Sequence, residues 1–211
     1  MKRIALIGGG GFAKEVYELA KLNGHDVVGY VGEGQGVLKS PYWGRMEALT
    51  DKRADFDCVC IAFGSVDRKS SEGRAKMVGW LNEQGFLSIP LVSPYAVRSA
   101  GVEIADGAIV AHGVTMSVDC TVGAFAILNS NSIIGHDAAI GCNVTIAPGA
   151  FIGGTAEIQR DSLIGPGAIV LEGRMVGKGV VVGLGATVIR NVKDGSTVMP
   201  LRSKVLATKV G

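Results

Sequence analysis

The sequence lacks any apolar run approaching the roughly 20 residues that a membrane-spanning helix needs. At its start, Met1-Lys2-Arg3 precedes only a short apolar stretch, Ile4-Ala5-Leu6-Ile7, that runs straight into glycines. This stretch has neither the longer apolar region nor the small-residue cleavage site of a secretory signal peptide. Together, these two absences predict a cytoplasmic protein.

Cysteine is scarce, and its pattern excludes two kinds of structure. The four cysteines have neither the spacing of a zinc site nor that of a disulfide framework. They are Cys58, Cys60, Cys120 and Cys142. A passive thiol at Cys142 is favoured over a nucleophile, because no neighbouring residue type would depress its pKa. No metal is expected.

Net charge is also small, at +2, which argues against nucleic-acid binding by the whole surface. The charge is unevenly distributed, because residues 174–211 carry +6 and residues 1–173 carry −4. The basic end has two interpretations: a solvated cap on the end of the fold, or a site for a phosphate-bearing ligand. Its basic residues are Arg174, Lys178, Arg190, Lys193, Arg202, Lys204 and Lys209.

What the chain does contain is a six-residue repeat from Val102 to Asn191, with an aliphatic residue at the third position of fifteen consecutive units. A period of six fits neither a helix nor a two-sided strand, and it is typical of a solenoid of short parallel strands. Three units make a triangular coil of 18 residues, so the sequence predicts about five stacked coils with the aliphatic residues inside. These are Ile104, Val110, Met116, Val122, Leu128, Ile134, Ile140, Ile146, Ile152, Ile158, Ile164, Val170, Val176, Val182 and Val188.

The residues before the repeats follow a different pattern. Apolar runs at 3–7, 27–31, 57–62 and 86–92 predict strands. Apolar residues at helical spacing predict one helix that begins near Phe12 and a second helix over about 67–84. Alternating strands and helices predict a small Rossmann-like α/β domain with a parallel sheet at 1–93. The solenoid is then expected at 94–211, after Ser93-Pro94.

A glycine-rich turn joins the first strand to the first helix. Gly8-Gly9-Gly10-Gly11-Phe12-Ala13 fits the G-x-G-x-x-G/A pattern, in which backbone N–H groups can approach a phosphate at a helix start. A tight turn without a ligand is the alternative. Since Gly64-Ser65 should end a neighbouring strand at the same edge of the sheet, we favour a ligand-binding turn, with a nucleotide-bearing substrate rather than a redox cofactor.

Three histidines occur in the chain, and one of them stands out. His112 and His136 are four units apart, which puts them on different faces of the solenoid and disfavours a multi-histidine zinc site. Exactly one coil of 18 residues separates His136 from Gly154. A glycine stacked on an imidazole would present a backbone N–H beside a general base. A solvated surface histidine remains the alternative.

The chain combines a short G-x-G-type domain with hexad repeats, and this combination resembles a known family. Three motifs within the repeats add to the resemblance: Ile133-Ile134-Gly135-His136-Asp137, Ile146-Ala147-Pro148-Gly149-Ala150 and Gly153-Gly154. The chain resembles the sialic acid O-acetyltransferases and nucleotide-4-amino-sugar N-acetyltransferases of the left-handed parallel β-helix class. The resemblance implies a homotrimer that binds acetyl-CoA between neighbouring β-helices, and an N-terminal domain that holds the nucleotide sugar.

The resemblance also implies roles for individual residues. His136 matches the general base, Asp137 the acid that assists it, Gly154 the donor to the thioester oxygen, and Asn129 a residue near the acceptor. Acetyl-CoA is expected to contact Thr145, Gly154, Gly167, Lys178 and Arg190, and the nucleotide sugar Gly8, Gly10, Gly11, Phe12, Glu33, Gly64 and Asn129.

The chain departs from the family pattern at three places. Thr145 stands where some members have a second histidine, and an acidic pair after the second strand is reduced to Gly32-Glu33-Gly34. The C-terminal proline motif appears only as Met199-Pro200-Leu201-Arg202. The function expected is N-acetylation of a nucleotide-linked 4-amino-4,6-dideoxy sugar for surface glycan synthesis. Sugar O-acetylation, acylation of another acceptor such as an amino acid, and a non-catalytic nucleotide-sugar-binding scaffold remain alternatives.

Overall fold

The computed structural model describes residues 1–200 of the chain. Arg202, Lys204 and Lys209 of the basic segment, and the end of the proline motif, lie outside the described residues. Before the solenoid come β1 (Arg3–Ile7), α1 (Gly11–Leu22), β2 (Asp26–Val31), β3 (Tyr42–Gly44), α2 (Glu47–Asp51), a 3₁₀ turn (Arg53–Asp55), β4 (Cys58–Ile61) and α3 (Arg68–Glu83).

The four strands of this region form one parallel sheet in the order β3-β2-β1-β4. β1 lies inside the sheet, which explains why its last four residues are all apolar and buried. α1 packs through residues at helical spacing, and α3 is capped by Asp67, whose carboxylate accepts from the backbone N–H of Ser70. The predicted parallel-sheet domain is thus confirmed, although β3 and α2 were not foreseen.

The strand predicted over residues 86–92 is wrong. Only Leu91–Val92 is a strand, here β5, and it pairs with the solenoid rather than with the α/β sheet. The apolar residue Phe86 instead packs with Phe56 and Trp80 in the core of the first domain. The solenoid ladder therefore begins at Leu91, and the domain boundary at 93/94 stays a proposal.

Eighteen two-residue strands, β5 to β22, make up the solenoid within residues 1–200. In chain order they are Leu91–Val92, Val97–Arg98, Glu103–Ile104, Ile109–Val110, Thr115–Met116, Thr121–Val122, Ile127–Leu128, Ile133–Ile134, Ala139–Ile140, Thr145–Ile146, Phe151–Ile152, Glu157–Ile158, Leu163–Ile164, Ile169–Val170, Met175–Val176, Val181–Val182, Thr187–Val188 and Thr197–Val198.

These strands form the three faces of a parallel β-helix. The first face is β5-β8-β11-β14-β17-β20-β22, the second β6-β9-β12-β15-β18-β21, and the third β7-β10-β13-β16-β19. Eighteen strands on three faces make about six coils, one more than predicted, because β5, β6 and β22 lie outside the fifteen regular hexads. We call the turns that carry Asn129, His136 and Asn143 the first, second and third edges.

The aliphatic residues at the third positions fill the interior, as predicted. Fourteen of the fifteen are buried, and Ile104 in the first hexad packs partly buried against them. Ala108, Ala126, Ala138 and Ala150 lie in the same core and leave room for the larger side chains. At several turns the residue with positive φ is Asn or Asp, the types that tolerate this conformation best.

The α/β domain packs on the first face of the solenoid. Ile109 and Ile127, which point outward from this face, are buried in the core of the domain beside Leu6. Across the same junction, the buried guanidinium of Arg74 donates to the carbonyl oxygen of Phe125 (2.6 Å) and the Oδ1 of Asn143 (2.5 Å). The domain and the solenoid are thus joined by apolar packing and several hydrogen bonds.

No helix in residues 1–200 is both long enough and apolar enough to cross a membrane.

Candidate active site

His136 lies on the second edge of the solenoid, immediately after β12, in the turn Gly135-His136-Asp137. Its Nδ1 is 2.8 Å from Oδ2 of Asp137, which adopts a positive φ of 57°. A carboxylate only accepts hydrogen bonds, so Nδ1 carries the proton and the lone pair of the neutral ring is on Nε2. Because the His136 side chain is half exposed, Nε2 is available to a substrate.

Gly154 lies one coil further along, beneath the ring of His136. A Cβ on Gly154 would stand 2.5 Å from Nε2 of His136 and 2.7 Å from Cε1, so only glycine fits under the ring in this position. Within residues 1–200, no acceptor hydrogen-bonds to the backbone N–H of Gly154, whereas the neighbouring Thr155 N–H donates to the carbonyl oxygen of His136. The turn thus combines a base with an unused backbone donor.

The pKa of His136 is raised above its ordinary value of 6.5. The main cause is the hydrogen bond that the ring donates to the carboxylate of Asp137, and the negative charges of Asp137 and Glu172 add to it. Each of these carboxylates stabilises the imidazolium that forms when His136 accepts a proton. The electrostatics of the turn therefore favour a base.

A cavity of about 520 Å³ lies between the α/β domain and the first face. Its walls are mostly apolar, and they come from α1, the loop after β4, and the later coils of the solenoid. They are formed by Phe12, Gly64, Ser65, Val66, Asn129, Thr145, Ala147, Pro148, Leu163, Gly165, Pro166, Val181, Val182, Gly183 and Leu184. This is a concave, partly open site of the size that small-molecule ligands occupy.

The cavity brings together four of the residues predicted from the sequence: Phe12, Gly64, Asn129 and Thr145. The glycine turn lies beside it. Gly10 caps the start of α1, and a Cβ on Gly10 or on Gly11 would meet no atom within 4 Å, so this part of the turn is open to a ligand. Gly8 donates to Val31 in the neighbouring strand, and Glu33 is exposed just after that strand.

The residues predicted to contact acetyl-CoA are spread over different faces and edges of the solenoid. Thr145 points into the cavity region, and Gly167 is on the first edge with a φ of 62°. Lys178 is on the third edge, in a second cavity of about 460 Å³ that includes Arg68 and Arg160. Arg190 follows β21 on the second edge, two coils beyond Gly154.

His136 is not part of the cavity wall within the described residues. The cavity opens at the first face and first edge, whereas His136 is on the second edge, so the whole second face separates them. On that face Ile133, Phe151 and Ile169 stand next to one another on paired strands, and each is 41–44% exposed. The cavity and His136 therefore lie on either side of an exposed apolar face.

Two residues at the cavity were not found from the sequence. Ser65 lines it directly, and Arg74 donates from Nε to the carbonyl oxygen of Phe63, which fixes the loop that leads to Ser65. A signal for Arg74 was present, because positions 71, 74, 78 and 81 form one buried stripe of α3 and place an arginine in it. For Ser65 the signal was its position beside Gly64 at the end of a predicted strand, but no role was assigned to it.

The remaining reactive groups do not form a second centre. No group of three or more His, Cys, Asp or Glu residues within residues 1–200 is arranged to hold a metal ion. His112 is on the first edge, where its Nδ1 is 2.6 Å from the hydroxyl of Ser93. Partial burial raises the pKa of the Cys142 thiol, which fits the expectation of an unreactive side chain.

The fold matches several solved structures along nearly its whole length. A variant of perosamine N-acetyltransferase from Caulobacter crescentus, in complex with CoA and GDP-perosamine, is 27% identical with a TM-score of 0.87, over 97% of each chain. The acetyltransferase domain of PglB from Neisseria gonorrhoeae, in complex with acetyl coenzyme A, is 28% identical with a TM-score of 0.84, over 97% of this chain and 98% of that one.

A third structure, WeeI from Acinetobacter baumannii, is 28% identical with a TM-score of 0.82, over 96% of this chain and 99% of that one. Residues 3–71 match the family model of the PglD N-terminal domain. No curated protein is significantly similar to the chain in sequence.

Proposed function

We propose that this chain is a left-handed β-helix acyltransferase with a PglD-type N-terminal domain, and that it transfers the acetyl group of acetyl-CoA to a nucleotide-linked amino sugar. The observation that carries this proposal is the stacking of His136 on Gly154. It occurs in a fold that matches, over 97% of the chain, an N-acetyltransferase with CoA and GDP-perosamine bound. A 4-amino-4,6-dideoxy sugar destined for a surface glycan is the acceptor we expect.

In this mechanism His136 acts as the general base. The acceptor nitrogen attacks the thioester carbonyl carbon, and Nε2 of His136 takes the proton that the nitrogen loses. Asp137 keeps the proton of the neutral ring on Nδ1 and stabilises the imidazolium. The carbon–sulfur bond then breaks, and the imidazolium gives its proton to the sulfur of the leaving CoA thiolate, which regenerates the neutral base. Transfer is direct, without an acyl-enzyme.

Gly154 supplies the second element of catalysis. As the nitrogen attacks, negative charge builds up on the thioester oxygen, and the unused N–H of Gly154 can donate to that oxygen. Because the donor belongs to the solenoid backbone, it needs no reorganisation during the reaction. The same residue must remain a glycine to leave room for the imidazole.

The α/β domain is proposed to hold the nucleotide. Gly8, Gly10 and Gly11 would bind the phosphates at the start of α1, and Glu33 follows the neighbouring strand at the same edge. Phe12 and Gly64 connect this edge with the cavity, in which the sugar would reach Asn129. Acetyl-CoA would contact Thr145, Gly154 and Gly167, and its phosphates would meet the basic residues Lys178 and Arg190.

We also propose that the enzyme is a homotrimer and that its site combines two copies. His136 of one copy would reach the cavity of the next copy across the interface. Supporting this, the cavity and His136 lie on opposite sides of the second face, and that face carries the exposed residues Ile133, Phe151 and Ile169. A contiguous apolar surface of this kind is typical of an interaction site. The cytoplasmic location stays a prediction.

A thiol-release assay with acetyl-CoA tests the proposed function. Nucleotide sugars that carry an amine would be compared with matched sugars that carry a hydroxyl at the same carbon. We expect thiol release and an acetylated product of increased mass with the amine substrates. Release only with hydroxyl substrates would establish the O-acetyltransferase alternative. Binding of nucleotide sugars without any release would establish a non-catalytic scaffold.

A further inference from the structure

Helix α3 runs along the third edge of the solenoid, and three of its side chains bond to successive coils. Arg68 donates to the carbonyl oxygen of Gly179 (2.9 Å). Three residues further along the helix, the hydroxyl of Ser71 donates to the carbonyl oxygen of Asp161 (2.8 Å). After three more residues, Arg74 bonds to the turns of the two coils that precede Asp161. We call the contacts of these three side chains the α3 ladder.

The partners of the α3 ladder occupy one structural position that repeats from coil to coil. They are 18 residues apart, and each has a positive φ between 56° and 65°. Three residues of an α-helix rise roughly 4.5 Å, and neighbouring strands lie about 4.8 Å apart. The helix therefore advances one coil with every third residue, so a slide of α3 along the solenoid would break these bonds together. The partners are Phe125, Asn143, Asp161 and Gly179.

Arg74 forms the inner end of the α3 ladder. Its side chain is fully buried, although the groups that it bonds to are neutral: two carbonyl oxygens and the Oδ1 of Asn143. Asn143 in turn donates to the carboxylate of Asp161 (2.9 Å), which connects two neighbouring coils of the ladder. A buried guanidinium is costly without hydrogen-bond partners, so this arginine fits only where α3, the loop before it and the third edge meet in one arrangement.

The helix also fixes a loop that forms part of the cavity wall. We call residues 64–66, between β4 and α3, the cavity loop, because all three line the 520 Å³ cavity. Just before this loop, the carbonyl oxygen of Phe63 accepts from Nε of Arg74 (3.1 Å). At its end, the backbone N–H of Val66 donates to the hydroxyl of Ser70 in α3 (3.0 Å). The height of α3 on the solenoid thus determines which coils the cavity loop faces.

We propose that Arg68, Ser71 and Arg74 are positioning residues for acetyl transfer, and that they set the height of the α/β domain along the solenoid. The proposal rests on the proposed function, in which the domain holds the nucleotide sugar and the solenoid holds acetyl-CoA. The α3 ladder spans the junction between these two parts. Because a misplacement of about 1 Å can cost roughly 10²-fold in rate, the height of the domain affects catalysis even though none of the three side chains needs to touch a substrate.

The test removes the two outer rungs of the ladder and leaves Arg74 in place. Arg68→Met, Ser71→Ala and the double variant are compared with the parent well below their melting temperatures, where all are folded. We expect kcat to fall about tenfold in each single variant and about 100-fold in the double variant. The dissociation constants of acetyl-CoA and of the nucleoside diphosphate alone should stay unchanged, because each ligand binds on one side of the junction. Arg68→Lys should recover part of the rate, since lysine keeps a charged donor.

Lys69→Met is the matched control, because Lys69 carries the same charge in the same turn of α3 but is exposed. Its kcat should equal that of the parent. Parental kcat in the folded double variant would overturn the proposal, and a lowered melting temperature beside it would mark a purely structural role. Weaker binding of acetyl-CoA with unchanged kcat would also overturn it, since Arg68 would then belong to the acetyl-CoA site.

If the parent releases no thiol with any nucleotide amino sugar, the proposed function fails, and hydrogen exchange tests the α3 ladder on its own. The backbone N–H of Val66 should exchange faster in the double variant than in Lys69→Met, at a temperature where both are folded. Equal exchange in the two variants would show that the ladder does not hold the cavity loop, and would reject the positioning role.

Discussion

The imidazole of His136 lies against the α-carbon of Gly154, one coil further along the solenoid, with no room for a Cβ between them. The 18-residue coil produces this contact, because strands β12 and β15 pair in register and bring the turns that follow them into line. The same contact places an unused backbone N–H beside the proposed base. Several consequences can be measured.

Gly154→Ala should lower kcat strongly while the protein stays folded. The new Cβ would stand 2.5 Å from Nε2 of His136, so the ring must leave its position above the backbone N–H. Loss of an aligned oxyanion donor typically costs about 10²–10³-fold in kcat. Steady-state kinetics with thermal melting as a check on folding would measure this.

Gly73→Ala is the control for this substitution. Gly73 is in the interior of α3, and a Cβ there meets no atom within 4 Å. We expect unchanged kcat and a stability gain of about 0.5–1 kcal/mol, from the helix preference of alanine. Parent-like kcat in Gly154→Ala would show that the His136–Gly154 contact has no part in catalysis.

Asp137→Asn should move the acidic limb of the pH–rate profile to lower pH. The Asp137 carboxylate is the main reason why the pKa of His136 is above 6.5, and the base works only in its neutral form. Without the carboxylate the pKa falls, so the ring is neutral down to lower pH, although the plateau rate should drop. A limb at the parental pH would mean that a group other than His136 titrates.

The regular part of the solenoid was predictable because one hexad repeats one local environment. Val110 and Ile152, for example, each need only a strand neighbour one coil away, and the period supplies that neighbour. The same 18-residue coil length predicts that His136 and Gly154 lie next to each other. The coils outside the period were missed, because Leu91–Val92 looks like an ordinary buried strand and its partner is set by tertiary packing.

The cavity could not be predicted in the same way. It forms between Gly64-Ser65 of one domain and Thr145 of the other, and no sequence spacing relates the two. Arg74 illustrates the difficulty, since its hydrogen-bond partners Phe63, Phe125 and Asn143 are scattered along the chain. Spacing shows that Arg74 is buried but not what it contacts.

Arg74→Met should destabilise the protein by about 2–4 kcal/mol, because two carbonyl oxygens and one amide oxygen would lose a charged donor at the buried junction. Burial lowers the pKa of this guanidinium to about 10, so it stays charged at neutral pH. Chemical denaturation would measure the change. An unchanged or increased free energy of unfolding would mean that burial of the charge outweighs its hydrogen bonds.

Subunit mixing tests whether the site combines two copies. His136→Ala removes the base, and Ala147→Phe fills the cavity, so each variant alone should be inactive. When the two are unfolded and refolded together in equal amounts, about a quarter of the sites in a symmetric trimer join an intact cavity to an intact His136. We expect a corresponding recovery of activity. Folded but inactive mixtures would place both half-sites within one copy.

The most direct test of the account is the turnover of His136→Asn, a substitution that keeps a polar side chain but removes the base. Thiol release and binding of both substrates would be measured on the same preparation. We expect kcat to fall at least about 100-fold, while the dissociation constants for acetyl-CoA and the nucleotide amino sugar stay close to those of the parent. Parental kcat with intact binding would contradict the assignment of His136 as the general base.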